Sequence, residues 1–241
     1  TELQMLFYSP VAWLILVVFA VQAGMLFAGQ LEGLVASQEM GYNINGSTMT
    51  IFASRWGGVF TSMQNYLYFY IPLLTMSLVS KELSSGSIRL LYSSPITNFQ
   101  IIVGKFFSMM IYGFFMIAIL FLIVLCSWGV VKDFDLPMVL VGLLGLYLLI
   151  CAYAAIGIFM SSLTSYQIVA AIGTFAVLML LSMIGGWWQD YDFVRDVTYW
   201  LAMPGRSGKF IAGLICSEDV LYFVIVVCLF LALTIIRLNS V

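Results

Sequence analysis

Residues 136–189 read LPMVLVGLLGLYLLICAYAAIGIFMSSLTSYQIVAAIGTFAVLMLLSMIGGWWQ and hold no Asp, Glu, Lys or Arg across 54 positions. A helix that crosses the hydrocarbon core of a bilayer needs about 20 apolar residues. A charge at its centre costs about 2.5–3.5 kcal/mol on insertion scales. One uncharged run of this length therefore holds two crossings and a turn. Outward from it lie four more uncharged windows, at 3–31, 56–80, 106–131 and 220–236. The chain is 63% hydrophobic and 8% charged, whereas a soluble domain carries about 25% charged residues. It reads as a polytopic membrane protein forming a single transmembrane domain over residues 1–241.

Local punctuation divides the chain into six spans, an all-α architecture. Pro10 fits a first helical turn, so the first span runs over 10–28. The second covers 60–80, with a kink expected at Pro72. The others are expected at 101–128, 136–160, 168–186 and 220–236. The polar stretch 30–55 reads as a loop, 161–167 as a tight turn, and 187–219 as a longer external loop with interfacial helices. Six spans put both termini on one side together with 81–105 and 161–167. Basic residues divide four against five between the two sides and do not orient the chain. Acidic residues divide two against nine, which favours the first side as cytoplasmic. The sequence opens on Thr1, and no basic n-region or cleavable signal is expected there.

Several function classes are disfavoured by what the spans lack. Ion-coupled transporters commonly bind their ion on an intramembrane acid or histidine, and the windows offer neither. Voltage sensing would need rows of intramembrane arginine. No GxxxxGK[ST] loop is present, so nucleotide hydrolysis by the usual route belongs to another chain. A net charge of −2 points to no nucleic-acid partner. The four cysteines form no CxxC pair and there is no histidine, which removes the usual zinc frameworks; the cysteines read as small buried hydrophobes. Neither an enzyme nor a cofactor-holding chain is expected.

The most distinctive segment is 81–105, KELSSGSIRLLYSSPITNFQIIVGK. Ser84 can cap a helix, and Ile88, Leu91 and Tyr92 share one helical face. Pro95 disfavours helical geometry at Ser94 and ends the run. Such an amphipathic helix suits a membrane interface or a groove on a partner. Glu82, Gly86, Ser87–Ile88, Leu91, Pro95–Ile96 and Gly104–Lys105 together resemble the segment after the second span in ABC-2 type transporter permeases. There the stretch reads approximately E-x-x-x-G-T-[IL]-E-x-L-x-x-x-P-[IV], followed by Gly-Lys before the third span. Ser87 stands for the usual Thr and keeps its hydroxyl; Arg89 stands for a common Glu and reverses the charge. Residues 157–164 and 208–215, with Glu218–Asp219 and Tyr222–Phe223, are similar to that family's fourth-span exit and external helices.

The resemblance implies a six-span permease of the ABC-2 fold, with the GldF and NosY-like permeases of gliding motility and related systems as the nearest subgroup. It implies a separate ATPase subunit that binds ATP, a second permease subunit as homodimer or heterodimer, membrane lipid around the spans, and a bacterial inner-membrane location. Segment 81–98 would be the cytoplasmic coupling helix, with Glu82, Gly86, Ser87, Ile88 and Leu91 touching the ATPase. The competing expectation is a membrane scaffold of a motility or secretion apparatus that moves no substrate. Asp190, Asp192 and Asp196, like Asp133 and Asp135, read as solvated loop charges, the sharper alternative being a divalent-cation site. Trp187, Trp188, Tyr191, Tyr199 and Trp200 read as an interfacial aromatic belt. Gly142, Gly145, Gly157 and Gly173 read as close-packing positions between helices, with a dimer seam as the alternative.

Overall fold

The computed structural model describes residues 2–40, 47–54, 57–85, 97–129, 131, 134–183 and 203–239. Among these, all regular structure is helical. In chain order the helices are α1 (Glu2–Tyr8), α2 (Pro10–Glu39), α3 (Ser47–Ala53), α4 (Val59–Thr75), α5 (Ser80–Ser85), α6 (Asn98–Trp128), α7 (Leu136–Leu163), α8 (Gln167–Met183), α9 (Met203–Ile211) and α10 (Ser217–Asn239).

Among the described residues, four helices are long and apolar enough to cross a membrane: α2, α6, α7 and α10. The expected second and fifth spans appear as α4 and α8, each of 17 residues. Of the four, α7 is the hub, since 72% of its apolar window is buried inside the protein against 22–33% for the other three. Outer helices instead present Val17, Val21, Phe107, Phe114, Leu122 and Ile225 outward, as a lipid environment requires.

Helix starts follow local chemistry. Pro10 opens α2 and Pro137 sits in the first turn of α7. The Asp135 carboxylate caps α7 by accepting from Met138 N at 3.3 Å, so this acid serves the helix rather than solvent alone. Thr97 and Gln100 form a reciprocal capping box that starts α6 at Asn98, three residues before the expected 101. The box satisfies two of the orphan amides that every helix start exposes.

Several boundaries differ from expectation. Helix α2 does not stop at 28 but runs to Glu39, because residues 29–39 contain no proline and several good helix formers. The Gln30 side chain on this extension donates to Gly57 O at 2.8 Å. The second span does not run to 80: α4 ends at Thr75, three residues past Pro72, turns through 76–79, and restarts as α5. Helix α7 continues through Ser161 and Ser162 to Leu163, so the turn is confined to 164–166. Ser84 lies inside α5 with its hydroxyl donating back to Lys81 O at 2.9 Å, while the run it was expected to cap lies outside the described residues. Only Cys151 is a buried cysteine, while Cys126, Cys216 and Cys228 are exposed. The last two of the expected coupling features, Ile88–Leu91–Tyr92 and Ser94–Pro95, lie outside the described residues, as do Asp133, Asp190, Asp192, Asp196 and the belt residues Trp187, Trp188, Tyr191, Tyr199 and Trp200.

Close packing around α7 rests on its glycines. A Cβ on Gly142 would meet the Phe60 ring at 2.9 Å, one on Gly145 would lie 2.2 Å from Phe210 Cβ, and one on Gly157 would lie 2.2 Å from Thr75 Oγ1. On α8, Gly173 faces the Met160 methyl at 2.8 Å. Each therefore seats a partner from the same chain, the close-packing role expected of it.

Candidate coupling site

The junction between α4 and α5 lies against the Leu163 end of α7. Breaking a helix leaves the last carbonyls of one piece and the first amides of the next without partners. In a bilayer, where water is scarce, such groups must be satisfied internally. A single hydroxyl does much of this. Ser161 Oγ accepts from Val79 N at 3.2 Å and Ser80 N at 3.0 Å, and donates to Met76 O at 3.0 Å. Ser80 Oγ donates to the same Met76 carbonyl. Both serines are fully buried. Ser161 thus caps the start of α5 from a different helix while also holding the end of α4. One turn earlier on α7, Gly157 admits Thr75, whose hydroxyl is turned back onto Ile71 O at 2.9 Å.

The second tie is ionic. Glu82, in the first turn of α5, meets Lys105 of α6 with Oε1 and Nζ 2.5 Å apart. The lysine side chain is 3% exposed and the carboxylate 20%. Lys105 sits in the third turn of α6, so the expected third span 101–128 does contain a charge. A buried ammonium is tolerated when a short, charge-assisted hydrogen bond compensates its lost hydration. Around this junction, Asn98 Nδ2 at the start of α6 donates to Asn239 Oδ1 at the end of α10, at 2.7 Å.

A different arrangement occupies the Leu136 end of α7. Helix α9 buries Met203, Arg206, Ser207, Phe210 and Ile211. Arg206 and Asp219 of α10 are 2.6 Å apart, with side chains 6% and 1% exposed. Lys209 approaches the other carboxylate oxygen at 3.5 Å. The Arg206 guanidinium also lies over the Tyr222 ring, 4.4 Å from its centre, a cation–π geometry. Gln64 Nε2 of α4 donates to Pro204 O at 3.3 Å.

Of the residues expected to contact an ATPase, the structure locates Glu82 and brings it to Lys105 of the same chain; Gly86, Ser87, Ile88 and Leu91 lie outside the described residues. Ser161, expected in the 161–167 turn, instead lies on α7 and is the junction residue that a local reading misses; Gly157, read as a close-packing position, lies four residues before it on the same helix face.

A family model described as ABC-2 family transporter protein matches residues 1–189. No curated protein matches the chain.

Proposed function

Because the chain belongs to the ABC-2 transporter family, we propose that it is the permease subunit of an ABC transporter, driven by a separate ATPase subunit that binds and hydrolyses ATP. The family match over 189 of 241 residues carries this reading. Six crossings are proposed, with α4 and α8 joining the four long helices. At 17 residues each they reach the lower end of the roughly 17–25 residues that suffice for a span. The side bearing α5 would be cytoplasmic in a bacterial inner membrane. Segment 81–98 would be the coupling helix, rooted at Glu82, with Gly86, Ser87, Ile88 and Leu91 reaching the ATPase. A second permease subunit, as homodimer or heterodimer, would complete the transporter. Within the family, the order of landmarks in 81–105 favours the GldF and NosY-like permeases.

The test is recovery of the protein from its native membrane in mild detergent, with identification of the ATP-binding chain that accompanies it. Leu91→Asp, which places a charge on the proposed docking face, should abolish stimulation of that ATPase while leaving membrane insertion intact. Unchanged stimulation together with unchanged complex recovery would overturn the assignment. ATP-dependent substrate movement in liposomes separates a transporter from a scaffold.

A further inference from the structure

Helix α5 is described over Ser80–Ser85, and side chains of two other helices grip it. The grips come from two directions. Ser161 of α7 holds its N-terminal amides end-on, at Val79 and Ser80. Lys105 of α6 holds the side chain of Glu82. Two ties to different helices define both where α5 starts and which way it points, which one tie could not do.

The two anchoring helices are themselves locked together. A Cβ on Gly113 of α6 would lie 2.8 Å from Ile150 Cγ2 of α7, and Tyr147 of α7 donates to Met110 O of α6 at 3.4 Å. The junction is thus one corner of a triangle whose other two corners are packed against each other. On the far side of the junction, Met76 O belongs to the end of α4, so the same hydroxyl joins α4, α5 and α7.

We propose that Ser161 and Lys105 are positioning residues for coupling: together they form a two-point brace that turns α5 into a lever fixed to α6 and α7, so that force on the following segment moves those two helices. The brace assigns Glu82 to an internal partner, Lys105. The use of the brace for coupling rests on the transporter reading; its existence as the determinant of α5 placement does not.

The experiment reads the two separately. In the isolated protein in lipid nanodiscs, amide hydrogen exchange is followed over 79–85. Ser161→Ala should speed exchange at Val79 and Ser80 by about five- to tenfold, the scale of losing one hydrogen bond to a locally opened helix end. Glu82→Lys and Lys105→Glu should each speed exchange across α5, and the charge-swapped double variant should return protection to within about twofold of the parent. In the complex with the co-purified ATPase, Ser161→Ala and each single charge variant should lower ATPase stimulation with complex recovery unchanged, and the double variant should restore stimulation. A general folding defect would instead lower recovery and stimulation together. Unaltered exchange in Ser161→Ala, or a double variant no better than its singles, overturns the brace. Normal exchange responses with no accompanying ATPase retain the brace and overturn the transporter reading.

Discussion

The two ends of α7 hold their neighbours by different means. At the Leu136 end, Gly142 and Gly145 seat Phe60 and Phe210 directly against the helix backbone, and the nearby charges Arg206 and Asp219 are both nearly fully buried. At the Leu163 end, Gly157 seats the small Thr75, the neighbouring backbone is broken at 76–79 and held by one hydroxyl, and the Glu82 carboxylate remains 20% exposed. Gly145 and Gly157 are twelve residues apart, about 18 Å along a helix. One rod thus carries a packed, desolvated clamp at one end and a hydrogen-bonded, ionic joint at the other. The first kind of contact resists movement, because interiors filled to crystal density do not deform gradually. The second fixes direction rather than volume, through hydrogen bonds each worth about 0.5–1.5 kcal/mol.

The sharpest way to break this contrast is at Asp219. Asp219→Ala leaves Arg206 as a buried charge without its carboxylate, a loss of about 3–5 kcal/mol, and should lower the thermal midpoint in detergent more than any single change at the other end. Next comes a paired glycine test. Gly145→Ala forces a methyl into the root of the Phe210 side chain, an overpacking cost of about 1–3 kcal/mol, whereas Gly157→Ala meets Thr75, the smaller of the two side chains. The midpoint should fall further for Gly145→Ala; equal falls would mean that both ends are packed alike. The smallest effect is expected from Glu82→Ala, at about 1–2 kcal/mol, between the figures for exposed and buried pairs. A midpoint loss matching that of Asp219→Ala would erase the distinction between joint and clamp.

Much of the architecture is legible in composition and periodicity. The uncharged run at 136–189 yields α7 and α8 with the turn between them, and Pro10 and Pro137 mark helix starts because proline lacks only an amide that would be orphaned there anyway. The glycines of α7 read correctly as close-packing positions. Boundaries set by polar residues were harder to place. Gln30 and Glu32 look like loop residues in a hydropathy reading, yet a polar helix extension beyond the membrane breaks no helical rule, and α2 continues through them. Thr97 and Gln100 carry a local capping signal that outweighs the polarity of Asn98 and Gln100. The candidate site divides the same way. Glu82 and Lys105 are visible as motif positions 23 residues apart, but their pairing depends on the break at 76–79. The backbone groups at that break are met by Ser161, a residue 81 positions beyond Ser80, and no local pattern carries such a contact.

That separation of 81 positions bears on biogenesis. During synthesis the amides of Val79 and Ser80 leave the ribosome well before their capping hydroxyl exists. At about 5–20 residues per second the wait is on the order of 4–16 s, and α7 must then enter the membrane as well. A nascent chain, or one truncated before Ser161, would carry α5 without its anchorage on α7. Completion of α7 is thus what seats α5: only a chain that has finished its central helix has a hydroxyl to cap the amides of Val79 and Ser80.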